Sequence, residues 1–227
     1  LMVVAAVAFA VATILAVQRH RNPVTMDAAS GRPSATAGPV EDARIVVIGD
    51  GYTSRAAQGG EDPTAWPSLL EQRLEDGTVE VSAADGAGFV RANVFGRTIG
   101  SLATAAPLAE ADVVVVFGGR ADGPDVTEEV RTAALAVLEQ ARAAAPEAYL
   151  VLIGPAEPAD PVPAEVPANR DAIAAAAAEA GVRFVDPLTE GWLGGGDGLI
   201  TTDGSPTEEG HRALADLIEP IVRDALA

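Results

Sequence analysis

Three groups of polar residues in this chain could do chemistry together. The first closes the stretch RIVVIGDGYTSR, residues 44–55, where an apolar run ends at Gly49-Asp50-Gly51. A buried strand delivers a reactive side chain to the rim of a sheet in this way, yet Gly51 has no side chain to deliver. The second is Gly119-Arg120-Ala121-Asp122, which follows the apolar run ADVVVVF. The third is TTDGSPTEEGH, residues 201–211, holding Asp203, Ser205 and His211. Acyl transfer at such a rim needs a hydroxyl nucleophile, an imidazole to take its proton and donors for the oxyanion. Gly51 offers no oxygen, Ser205 is no base near neutral pH, and Ala121 has no side-chain amide to donate. Ser54 and His211 are the one hydroxyl–imidazole pair that could replace the missing groups. The structural alternatives are a turn or capping role for Ser54 and a packed, hydrogen-bonded role for His211. Asp50 and Asp203 could activate water, but carboxylates at strand ends more often accept backbone N–H groups. Arg120 is the cation expected at the mouth of the pocket, either paired with Asp122 or turned toward an anionic ligand. His20 and His211 are too few and too far apart for a histidine metal site, and no cofactor is expected.

Alternating strands and helices must position these groups. Residues 44–49, TVEVSAA, ADVVVVFGG, AYLVLIGP and VRFVDP read as strands. Helices are expected around Trp66 to Leu74, in DVTEEVRTAALAVLEQARAAAP with Asp125 or Thr127 as its cap, in ANRDAIAAAAAEAG, and from Ser205 to the C-terminus. Five apolar strands alternating with helices predict an α/β three-layer sandwich. Its sheet is parallel and doubly wound, in the order 2-1-3-4-5. Ligands of such sheets sit beyond the carboxyl ends of the strands, which is where all three groups fall. Trp66 and Trp192 are read as core or rim packing, with Trp192 able to flank a ligand, and the glycines at 191 and 194–196 as a mobile loop.

Over residues 44–226 the chain resembles the SGNH (GDSL-like) hydrolases. In that family the first strand ends in Gly-Asp-Ser, matched here by Gly49-Asp50-Gly51 and followed by Tyr52-Thr53. A glycine after the second strand supplies an oxyanion donor; DGAGFV matches it, with Gly88 preferred and Gly86 second. The Gly-x-Asn-Asp block corresponds to Gly119-Arg120-Ala121-Asp122. Anchored on Pro206, the Asp-x-x-His-Pro block puts Ser205 where the histidine belongs and Thr202 where the aspartate belongs; a one-residue deletion keeps Asp203 as the aspartate instead. His211 matches a second, non-catalytic histidine. The resemblance implies the fold of an ester hydrolase. At three of its blocks the residues that would carry the activity are replaced.

Composition bounds the rest. The 227 residues carry a net charge of −18, and all 15 basic residues are arginine. No cluster of them suits nucleic acid, and docking on an anionic lipid surface is disfavoured for the same reason. There is no cysteine, which excludes disulfides and thiolate zinc sites. Residues 1–21 begin with a 17-residue uncharged run and read as a membrane anchor, with a secretory signal as the alternative. Residues 22–43, rich in Pro, Ala, Ser and Gly, read as a flexible linker, and 44–227 as the folded domain. The functional expectation is a membrane-tethered, extracytoplasmic domain without hydrolytic activity, binding an acyl group, a glycan or an envelope protein. The alternative is an active esterase using Ser54 and His211.

Overall fold

The computed structural model describes residues 42–54, 62–194 and 198–227. The expected anchor, the linker as far as residue 41, and Gly195 and Gly196 of the glycine-rich loop lie outside the described residues; Ala43, read as the end of the linker, is instead buried in the core and accepts from the Thr78 amide at 2.8 Å. Among those described, no helix is long and apolar enough to cross a membrane.

Five parallel strands form one sheet in the order β2-β1-β3-β4-β5, as the alternation predicts. They are β1 (Arg44–Gly49), β2 (Thr78–Ala83), β3 (Val113–Phe117), β4 (Tyr149–Ile153) and β5 (Arg183–Val185). The three inner strands are continuous Val, Ile and Leu because both faces are covered. On one face Val46, Ile48, Val114, Val116, Leu150 and Leu152 pack against α2 (Ile99–Ala105), α3 (Thr127–Ala144) and α4 (Glu165–Ala180). On the other, Ile45, Val47, Val113, Val115, Val151 and Ile153 meet α1 (Trp66–Arg73) and α6 (Glu208–Ala225). Each such side chain contributes about 1.5–3 kcal/mol on burial. In-phase pairing, Gly49 against Ala83 and Phe117, and Phe117 against Ile153, makes the strands end together. Four loops therefore start from one edge.

Local details depart from the sequence reading. Asp125 does not cap α3; it takes a positive φ of 61°, and the N-cap is Val126 with no side-chain bond. Thr127 is already the first helical residue. Two short helices were not expected, α2 and α5 (Pro187–Glu190). The first begins in a capping box between Thr98 and Ser101, the second at the Asp186 carboxylate. Trp192 is core: it is buried, meets Phe117 edge-on at 6.3 Å, and donates Nε1 to Glu190 at 2.8 Å.

The start of α6 lies hard against the loop before it. A Cβ on Gly210 would stand 2.2 Å from the Leu199 carbonyl oxygen, a backbone atom with little freedom to yield. Helix propensity alone would make Gly210→Ala stabilising by about 1 kcal/mol. The contact reverses the sign, and the substitution is expected to destabilise by about 1–3 kcal/mol in chemical denaturation. A variant as stable as the parent would show that the loop can move aside.

Candidate active site

The turn after β1 is built on Asp50. Its carbonyl accepts from the amides of Thr53 at 3.0 Å and Ser54 at 2.9 Å, and its Oδ1 accepts from the Tyr52 amide at 3.0 Å. Gly51 is thereby held at the tip of a closed turn. The Asp50 carboxyl is buried, and that burial pushes it up to about 7. The Tyr52 amide and the Arg120 charge pull the other way, while Asp85 and Asp122 add to the rise.

The loop after β2 brings Asp85 against this turn. An ideal Cβ on Gly51 would stand 2.0 Å from Asp85 Oδ1. A side chain at position 51 would have to turn the exposed Asp85 carboxylate aside. The loop is anchored from behind by Asp122. This buried carboxylate accepts from the amides of Phe89 at 2.8 Å, Val90 at 2.9 Å and Arg91 at 3.0 Å. It faces the loop and takes no part in an ion pair with Arg120. Gly88 makes room for it, since a Cβ there would lie 2.3 Å from Asp122 Oδ1. The Gly88 amide donates to the Arg91 carbonyl at 2.8 Å and is not free for an oxyanion, so the expected donor role fails on geometry. Gly86 and Gly51 line the pocket, and their amides make no hydrogen bond among the described residues.

After β3, Gly119 has φ of 110°, and a Cβ there would meet Ile173 at 2.3 Å. Arg120 follows. Its Nε donates to Glu157 at 3.0 Å, and its guanidinium carbon lies 5.3 Å from the centre of the Tyr52 ring. Tyr52 in turn donates its hydroxyl to the Gly204 carbonyl at 3.1 Å, and burial pushes that hydroxyl well above the usual phenol range. The terminal nitrogens of Arg120 carry no hydrogen bond among the described residues. Neither Tyr52 nor Glu157 was singled out in the sequence. Nor was Asn169, a buried amide in an alanine-rich helix, which donates to the carbonyls of Asp122 at 3.1 Å and Gly123 at 3.2 Å.

The fourth loop folds on Thr201, whose amide donates to the Ser205 carbonyl at 2.8 Å. Asp203 is exposed; the Thr201 hydroxyl and then the Ser205 amide hold its carboxyl below the usual range. Asp50, Gly51, Ala121 and Ser205 share a cavity of about 50 Å³. Two larger hollows, of about 440 and 500 Å³, adjoin it and share Arg120 and Glu157. Asp203 lines the second. Ser54 and His211 are both buried, 1% and 0% exposed, and line none of these three hollows. His211 Nδ1 accepts from the Trp66 amide at 3.4 Å, so a neutral ring carries its proton on Nε2.

Loops converging on the carboxyl edge of a parallel 2-1-3-4-5 sheet define a doubly wound α/β domain with its site at the strand ends. Residues 47–213 match the model of the GDSL-like lipase/acylhydrolase family, and the chain belongs to that family. It is 33% identical over 186 residues to the GDSL lipase Rv0518 of Mycobacterium tuberculosis, covering 78% of this chain and 80% of that one. Among solved structures it is similar to a lipase/acylhydrolase of Enterococcus faecalis, with 16% identity and a TM-score of 0.65. That match covers 80% of this chain and 96% of the other. It is also similar to a carbohydrate esterase family 2 enzyme with a carbohydrate binding domain from Corynascus thermopiles (Myceliophthora fergusii). There the identity is 20% and the TM-score 0.66, over 83% of this chain and 68% of the other. At these identities the structural matches speak to fold.

Two predictions come from the buried carboxylates. Between about 3.8 and 7 the Asp50 carboxyl ionises in the unfolded chain but not in the folded one. Its contribution to stability is full below the ordinary pKa and is lost as pH rises through 7. Asp50→Asn should therefore be more favourable, relative to the parent, at pH 8 than at pH 5, by roughly 1–4 kcal/mol in urea titrations. An identical difference at both pH values would contradict the buried, protonated carboxyl. Asp122→Ala leaves three amides without their acceptor and should cost about 3–5 kcal/mol; a loss under about 1 kcal/mol would mean that water replaces the carboxylate.

Proposed function

We propose that this chain is an SGNH-fold binding domain that does not carry out serine-ester hydrolysis. The observation that carries the reading is Gly51 itself, which puts no side-chain oxygen at the tip of the β1 turn where a nucleophile would stand. The absence of an imidazole from the three hollows described supports it. Ala121 and Ser205 remove two further elements of the machinery, an amide donor and a base. The hollows around Arg120 remain open to a ligand. Their walls offer the Asp85, Glu157 and Asp203 carboxylates as acceptors and the Arg120 guanidinium as donor. Hydroxyl groups serve both kinds of partner, which favours a glycan over a bare acyl chain. The relatives named as lipase and as carbohydrate esterase are consistent with a ligand bearing sugar or acyl groups. The uncharged run at residues 1–17 supports a tether that would hold the domain on the extracytoplasmic side of a membrane, with secretion as the alternative.

An esterase built on Ser54 and His211 is the competing reading. Burial of both side chains away from the hollows weighs against it.

Purified protein is expected to show no turnover of small activated esters above a heat-treated control. Gly51→Ser alone should stay at that level, because the new hydroxyl finds no base. Nucleophile and base act as a unit. Only Gly51→Ser combined with Asp85→Ala and Ser205→His is expected to gain activity, by about 10²-fold over background. Clear wild-type turnover abolished by Ser54→Ala or His211→Ala would establish the competing reading.

A further inference from the structure

The loop that anchors Asp85 also carries an outward tip. Asn93 closes it: its amide donates to the Arg97 carbonyl and its carbonyl accepts from the Gly96 amide, both at 2.9 Å. Its side-chain oxygen accepts from the amides of Phe95 at 2.9 Å and Arg97 at 3.1 Å, and its Nδ2 donates to the Asp85 carbonyl at 2.9 Å. The Asp122 bonds hold the base of the same loop. A fixed turn thus holds Val94 at 88% exposure and Phe95 at 52%, with Val90 exposed beside them. Large apolar side chains are displayed to solvent on an ordered turn.

The charge around the tip differs from that of the chain as a whole. Residues 86–109 contain no Asp or Glu in a chain that has 33 of them, and Arg91 and Arg97 bracket the apolar pair. Both arginines are exposed, and neither makes an ion pair among the described residues. Most other described arginines, Arg44, Arg73, Arg131 and Arg170 among them, are ion-paired. Asp85, Glu157 and Glu165 line the hollow beside the tip, together with Arg91, Asn93 and Val94.

We infer that this tip is a contact for an anionic lipid bilayer, with Val94 and Phe95 entering the interfacial layer and Arg91 and Arg97 on the headgroups. Two side chains on a convex turn are too small for a stable protein interface, which needs roughly 800 Å² per partner. They suit interfacial insertion, where an aromatic ring and flanking cations act together. The net charge of −18 argued against lipid docking, but charge acts over about a Debye length, roughly 10 Å. Arg91 and Arg97 are the only charged residues of the tip segment 86–97, so its apolar apex is bracketed by positive charge, although the Asp85, Glu157 and Glu165 carboxylates line the hollow beside it. Such docking would turn the hollow of about 440 Å³, which Arg91 and Val94 help to line, toward the bilayer. The inference does not depend on whether the domain hydrolyses anything.

The chain has no native cysteine, so a single label can be placed. Val94→Cys in the full chain is labelled with an environment-sensitive fluorophore and mixed with vesicles of phosphatidylcholine, with or without phosphatidylglycerol. Tyr149→Cys, at the opposite end of the strands, is the control; Tyr149 is 43% exposed. The expected result is a blue shift and protection from an aqueous quencher at position 94 on phosphatidylglycerol vesicles, and neither effect at position 149. Each arginine near an anionic surface is worth roughly fivefold in partitioning. Arg91→Glu with Arg97→Glu should therefore weaken the response at position 94 by more than about tenfold. The inference is overturned if position 94 stays as open to the quencher on anionic as on neutral vesicles, or if the double reversal changes nothing. A concentration-dependent blue shift without vesicles would assign the tip to a second copy of the chain and also overturn it.

Discussion

One buried carboxylate organises the functional end of this domain. Asp122, behind the carboxyl end of β3, takes the amides of Phe89, Val90 and Arg91. Leaving a charge buried among apolar neighbours is costly, and accepting several N–H groups is how a protein keeps it. The bonds come from a loop that would otherwise leave three amides unpaired. Asn169 on α4 fixes the backbone of the same aspartate from the other side, so sheet, helix and loop meet at one residue. The constraint passes outward from there. With residues 89–91 pinned, the segment before them places Asp85 against Gly51, and the segment after them raises the Asn93 turn.

The same constraint bears on the chemistry of the pocket. A hydroxyl at position 51 needs space, a base and donors; the space is had only by turning Asp85 aside, and no imidazole lines the pocket. Asp50, buried beside it, is pushed toward neutral by desolvation and by the charges of Asp85 and Asp122. Arg120 is the counterweight, held between the Glu157 carboxylate and the Tyr52 ring. The pocket is thus an arrangement of fixed charges and backbone amides. On the proposed reading it serves recognition, and the nucleophile–imidazole pair that acyl transfer requires is not among its lining residues.

The layered fold was legible because its signal is repeated. Runs such as VVVVF and YLVLI are apolar at every position, which only a strand covered on both faces tolerates. The helix IGSLATA was not legible, because small residues hide its period and its capping box sits in a Thr-x-x-Ser pattern rather than Ser-x-x-Glu. The positions of the four glycine- and aspartate-bearing loops could be read, but the direction of their groups could not. Gly88 reads equally well as an oxyanion donor or as space for a neighbour, and only the place of the Asp122 carboxylate separates the two. Arg120 had an acid two residues away, yet its partner is Glu157, thirty-seven positions on. The value of Glu157 and Asn169 lies in long-range contacts that leave no local pattern. A polar residue on the buried face of an alanine-rich helix was the one available sign of Asn169.

The central claim is that no serine of this chain is an activated nucleophile. Incubation of the purified protein with a fluorophosphonate, followed by intact-mass measurement, tests it without assuming a substrate. The account predicts an unchanged mass at concentrations and times that fully label an active serine hydrolase. A stoichiometric adduct, mapped to Ser54 or any other serine and prevented by prior heat treatment, would contradict it.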